Sequence, residues 1–152
     1  MSKIPLHITN GTVITKYLDE LNIEGEKLTW QEMLCEGPTI RKVYSDEISE
    51  LRKTFFSTFY DVDLDISEIN IELDKLNHTN NYSEIVLWFE YDLFCHINMV
   101  AVISLLQQKK IDLPLYLVCS GRVSKSKNLK GLAELNSGEL LQHYSDKIRL
   151  TE

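Results

Sequence analysis

Five consecutive apolar residues, Ile85, Val86, Leu87, Trp88 and Phe89, stop at the carboxylate Glu90, and a second carboxylate, Asp92, follows two positions later. A short run rich in β-branched and aromatic side chains suits a strand buried on both faces, as in the middle of a parallel sheet. Side chains two apart on a strand point the same way, so Glu90 and Asp92 are expected to share one side where the strand ends. Residues 93–106 are then apolar almost all round, which predicts a buried helix. That run is interrupted by His96, Asn98 and Ser104 and is too short to span a bilayer.

The flanking segments repeat this alternation. Residues 4–9 read as a short strand, with Pro5 near its start where a strand tolerates it. Asn10-Gly11-Thr12 makes a turn, with Thr12 as the expected cap of a helix whose stripe is Val13, Ile14, Tyr17, Leu18 and Leu21. Residues 26–30 form a half-buried strand at a sheet edge, and Gly37-Pro38 forbids a helix through the loop after it. Over 45–60 a helix is predicted, capped by Ser45, with Ile48, Leu51, Phe55 and Phe59 as its stripe. An acidic connector, 61–65, leads to a helix over 67–76. Residues 113–119 are a second apolar strand, 120–130 a loop with Arg122, Lys125, Lys127 and Lys130 and no acid, and Ser137 caps a last helix. Residues 148–152 can be extended.

This order predicts a three-layer α/β fold. It is an open, mostly parallel, Rossmann-like sheet of about four strands with helices on both faces and right-handed crossovers. The 152 residues are expected to form one domain. Ligands of such sheets bind beyond the carboxyl ends of the strands. Four segments would converge there: Asn10-Gly11-Thr12, Cys35-Glu36-Gly37, Glu90-Tyr91-Asp92 and Ser120-Gly121-Arg122.

Each candidate in these segments has a functional and an ordinary reading. The amides at Asn10, Gly11 and Thr12 can hold a phosphate or carboxylate, although neither glycine-rich phosphate-binding signature occurs, and the ordinary reading is a tight turn with a cap. Glu90 and Asp92, with Glu36 across the rim, can ligate Mg²⁺ or act as general acid and base; otherwise Asp92 caps the helix and Glu90 pairs with a cation. His96 lies one turn after Asp92, which can orient its imidazole, but a histidine satisfied within the packing is the preferred account. Arg52 is either a countercharge for an anion or Glu36, or a snorkelling surface residue. Arg122 and its basic loop can close over an anionic ligand or simply be solvated. Cys35 and Cys119 lack an activating base.

Net charge is −7, which argues against nucleic-acid binding over a broad face. Three well-separated cysteines without a Cys-x-x-Cys pair indicate reduced thiols, and the N-terminus lacks the apolar core of a signal peptide, so a cytoplasmic location is expected.

Several motifs together resemble a known family: His7-Ile-Thr-Asn-Gly11, Trp30-Gln-Glu-Met-Leu-Cys-Glu-Gly-Pro38, Arg52, Leu87-Trp-Phe-Glu-Tyr-Asp-Leu-Phe94 and Gly131-Leu132. They are similar to the bacterial family called domain of unknown function 1835, over nearly the whole chain. The resemblance implies no activity. Family members usually carry Asp where this chain has Thr12, and often Asp or Gln where it has Cys95 and His96, which weakens a catalytic role at those positions. Members are commonly longer, which implies either a short member or an N-terminal piece.

Two functional expectations follow. The first is a cytoplasmic domain that binds a small phosphorylated or nucleotide-like ligand at the rim. Asn10, Gly11 and Thr12 would offer amides and a hydroxyl, and Arg52 and Arg122 the countercharge. Glu36, Glu90 and Asp92 would hold Mg²⁺ or move protons in a phosphoryl hydrolysis or transfer. The competing expectation is a non-catalytic interaction or regulatory module in which the same residues serve as caps and structural pairs.

Overall fold

The computed structural model describes residues 2–119, 121 and 127–151. A five-stranded sheet runs through its middle in the order β2-β1-β3-β4-β5, with β1 at Ile4–Asn10, β2 at Glu26–Trp30, β3 at Tyr82–Trp88, β4 at Leu115–Val118 and β5 at Ile148–Leu150. The first four strands are parallel, and β5 pairs antiparallel with β4. The apolar run at 85–89 is central and fully buried, as continuous hydrophobicity demands of a strand covered on both faces. β2 is the edge strand expected from its mixed composition. Its open side is blocked because the Thr29 amide donates to the Glu72 carboxylate at 2.7 Å and Lys75 Nζ donates to the Lys27 carbonyl at 2.7 Å.

Helices cover both faces. α1 (Thr12–Glu20) and α5 (Ser137–Ser145) lie on one side, where Ile14, Leu18 and Leu140 pack with Val86, Trp88 and Val118. On the other side lies α4 (Leu93–Gln108), whose Val102, Leu105 and Leu106 pack with Leu6, Ile8, Ile85 and Leu87. α2 (Asp46–Tyr60) and α3 (Ile66–Asp74) complete the three layers. No helix is long and apolar enough to cross a membrane among the described residues.

Several local expectations are corrected. Thr12 does not cap α1. Gly11 occupies that position at φ 91°, without a side chain to bond the first turn, and Thr12 is already helical. Asn136 rather than Ser137 caps α5, and it exchanges a reciprocal pair of bonds with Glu139. In α2 the buried face is Ile48, Arg52 and Phe56, whereas Leu51 and Phe59 are exposed. The interior therefore takes in Phe56 and a charged side chain, Arg52, in place of Leu51 and Phe59. Val13 likewise points to solvent. Helix α4 is not buried all round: Leu93, Phe94, Ile97 and Val100 are exposed.

One interior polar group shows how such side chains are tolerated. His7 is fully buried on β1; its Nδ1 accepts from the Trp88 indole at 3.1 Å, which leaves Nε2 to donate to the Glu24 carbonyl at 2.9 Å. Burial holds the imidazole neutral by lowering its pKa. Gly25, at φ 131°, lets the chain pass this ring; a Cβ there would sit 2.6 Å from the Pro5 carbonyl and 2.8 Å from the imidazole.

Candidate functional site

The direction in which strands are added reverses between β1 and β3. β1 leads through α1 on one face to β2, and β3 leads through α4 on the opposite face to β4. The connections therefore part at the carboxyl ends of these two strands, the place where ligands of such sheets usually bind. Asn10 and Gly11 stand at the end of β1, and Glu90, Tyr91 and Asp92 at the end of β3.

A polar chain links the two strand ends. The Leu34 amide donates to Asn98 Oδ1 at 3.2 Å, Asn98 Nδ2 donates to Asn10 Oδ1 at 3.0 Å, and Asn10 Nδ2 donates to Cys95 Sγ at 3.0 Å. The Cys95 amide then donates to Asp92 Oδ1 at 3.0 Å, closing the N-terminus of α4. Asp92, Cys95 and Asn98 recur every three residues, so one face of α4 carries the whole link. Neither Cys95 nor Asn98 stood out as a functional residue in the sequence. Their signal was this spacing of polar groups behind Asp92 in an otherwise apolar helix.

Glu90, Asp92 and Cys95 each offer a ligand atom within 4.8 Å of the others. Both carboxylates are partly exposed, while Cys95 is buried. Glu90 Oε1 accepts from the Leu132 amide at 2.9 Å, and a Cβ on Gly131 would lie 3.0 Å from either oxygen, so the carboxylate holds the chain at 131–132 against the end of β3. The Cys95 thiol, hydrogen-bonded to Asp92, holds that carboxyl below its ordinary pKa, with backbone amides adding to the effect. Burial pushes the thiol itself up to about 11, and the bond to Asp92 adds to it. Burial likewise raises Cys119, followed by the charges of Glu90 and Asp92. At neutral pH these thiols stay protonated and are poor nucleophiles.

The donor set fits a hard cation better than a soft one. Two carboxylates with unused lone pairs suit Mg²⁺, which commonly takes one or two carboxylates and completes its shell with water and ligand phosphate. A thiophilic ion would have to expel the proton from Cys95. Beside the carboxylates, the first amides of α1 have no side-chain cap, because Gly11 supplies none. The start of α1 is anchored instead by Thr15, whose hydroxyl bonds Thr9 at 2.6 Å and Thr29 at 2.8 Å.

The remaining expected residues lie differently. Glu36 does not join Glu90 and Asp92: it is exposed, and its carboxylate accepts from the Tyr60 hydroxyl at 3.0 Å. Arg52 is neither a snorkelling surface residue nor a free countercharge. It is 2% exposed, donates to Glu32 at 2.8 Å, and donates to the carbonyls of Met33, Glu36 and Pro38 at 3.0–3.1 Å. It knits the loop at 32–38 to α2, and its partner Glu32 was not singled out in the sequence. His96 is exposed rather than held within the packing; its amide donates to the Asp92 carbonyl at 3.0 Å, but no hydrogen bond or ion pair joins its imidazole to the Asp92 carboxylate among the described residues. Arg122 and Lys125 lie outside the described residues. The chain matches no protein-family model, no curated protein and no solved structure.

Proposed function

We propose that this chain is a cytoplasmic domain that binds a small phosphorylated or nucleotide-like ligand between the ends of β1 and β3, with a divalent cation on Glu90 and Asp92. The observation that carries this reading is the hydrogen bond from Asn10 to Cys95, which brings the uncapped start of α1 and the acidic corner to one place. Exposed amides at a helix start favour phosphate. With Arg52 committed to Glu32, those amides and the cation are the available countercharge.

Mg²⁺ bound there would polarise a phosphoryl oxygen and draw charge from it. Asp92, kept ionised by its thiol and amide donors, is suited to ligation and poorly suited to taking a proton. Glu90, with one oxygen on the Leu132 amide, is the residue to position water or accept a proton in a hydrolysis or transfer. The resemblance to the domain of unknown function family 1835 implies no activity and adds no chemistry to this reading.

A thermal-shift screen of nucleotides and phosphate esters, with and without Mg²⁺, tests the proposal. A ligand that binds only the folded chain raises the midpoint by mass action. The reading predicts a Mg²⁺-dependent rise that disappears in Asp92→Asn, a substitution that preserves the cap. No rise with any phosphate compound would remove it. The second reading, a non-catalytic interaction module, is favoured by the exposed apolar face of α4.

A further inference from the structure

Helix α4 covers sixteen residues, Leu93–Gln108, without one Asp, Glu, Lys or Arg. Among the described residues it is the only one of five α-helices with none. A helix lying on a sheet buries one stripe, and α4 buries Cys95, Asn98, Val102, Leu105 and Leu106. Its outer face at the N-terminal end is nonetheless mostly apolar, with exposed His96 beside the stripe: Leu93 is 70% exposed, Phe94 62%, Ile97 36% and Val100 58%. Steps of three and four residues put these four side chains on one continuous stripe. The Leu34–Asn98 bond also brings Met33, itself exposed, alongside the helix.

We propose that this face of α4 is the contact between two copies of the chain, packed α4 against α4 about a two-fold axis. Charge supports this choice of occupant. At −7, two copies repel each other, and a helix that carries no acidic side chain of its own is where that repulsion is least. A two-fold contact sets the same patch against itself, so an apolar stripe without Asp, Glu, Lys or Arg meets its own copy, with His96 at its side. A membrane surface is the poorer match, because interfacial helices carry Lys and Arg beside the apolar face and this one has neither.

Area points the same way. The stripe with Met33 exposes on the order of 500 Å² of apolar surface, near the upper end of what a monomer leaves open. A standard interface takes about 800 Å² from each partner, so the stripe plus a polar rim is sufficient for a modest dimer. The proposal does not depend on the ligand site.

Sedimentation of the full chain decides it. At about 100 µM, a concentration at which a modest interface is occupied, the expected mass is twice the 17.7 kDa of one chain. Val100→Lys, at an exposed position, should halve that mass while circular dichroism and the melting midpoint stay unchanged. If that variant does not fold, Phe94→Lys asks the same question. A wild-type monomer at this concentration overturns the proposal, whether or not it sediments with phospholipid vesicles. So does a dimer that survives a folded Val100→Lys or Phe94→Lys variant.

Discussion

Two charged clusters flank the same sheet and are built in opposite ways. Around Arg52, every nearby acceptor belongs to the chain itself. The guanidinium is buried, paired with buried Glu32, and bonded to three carbonyls of the loop at 32–38. At Glu90 and Asp92 the carboxylates are partly exposed, each accepts from a backbone amide, and no cation pairs with either among the described residues. A saturated buried ion pair stabilises architecture, and the loss of one partner strands the other. Partly satisfied carboxylates beside open helix amides have capacity left for a ligand. The contrast assigns the arginine to the fold and leaves the acids as the proposed site.

Four substitutions or titrations test that division, and the largest effect is expected at Arg52. Arg52→Ala leaves Glu32 buried and unpaired and should cost about 3–5 kcal/mol in denaturant unfolding. Arg52→Met combined with Glu32→Gln should cost clearly less, because no charge is stranded. Equal losses in the two proteins would break the contrast.

His7 belongs with the saturated interior and should show it through pH. Its folded pKa is lowered, so the unfolded chain binds a proton first as the pH falls. Its contribution is fully present above the unfolded value of about 6.5 and is lost below it, down to the folded pKa, at up to about 1.4 kcal/mol per pH unit. Stability measured from pH 7.5 to 5 should fall in the wild type and fall less steeply in His7→Gln. Parallel profiles would remove the histidine from the account.

At the rim the expected stability effects are smaller. Asp92→Ala removes the cap of α4 and should cost about 1 kcal/mol, while Asp92→Asn should cost little, since Asn caps as well as Asp. Glu90→Gln keeps an acceptor for the Leu132 amide and should stay within about 0.5 kcal/mol of wild type. A loss at Glu90 as large as that at Arg52 would show the acid to be architectural too.

The division was only half legible from residue types. Central β3 was legible because a strand covered on both faces must be apolar at every position, and edge strand β2 because half-burial mixes Lys27 with Leu28 and Trp30. The meeting of the Asn-Gly turn with the acidic corner followed from alternating strands and helices. Arg52 was misplaced because a periodicity count treats arginine as polar and places it outside. Its burial depends on Glu32 and three loop carbonyls that no local pattern reveals. The caps slipped by one residue, at Thr12 and at Ser137, where neighbouring residues are all competent and only backbone angles choose among them. An uncharged helix read as buried because composition does not say how much of its surface a single sheet can cover.

The central claim is that Glu90 and Asp92 hold a divalent cation beside the start of α1. Adding trace Mn²⁺ to ¹⁵N-labelled protein tests this most directly, because the ion broadens amides near it. The account predicts selective loss of the Thr12, Tyr91, Leu93 and Leu132 signals, reversed by excess Mg²⁺ and absent in the Glu90→Gln, Asp92→Asn double variant. Broadening centred instead on the acidic connector at Asp61, Asp63 and Asp65, or no selective broadening at all, would contradict it.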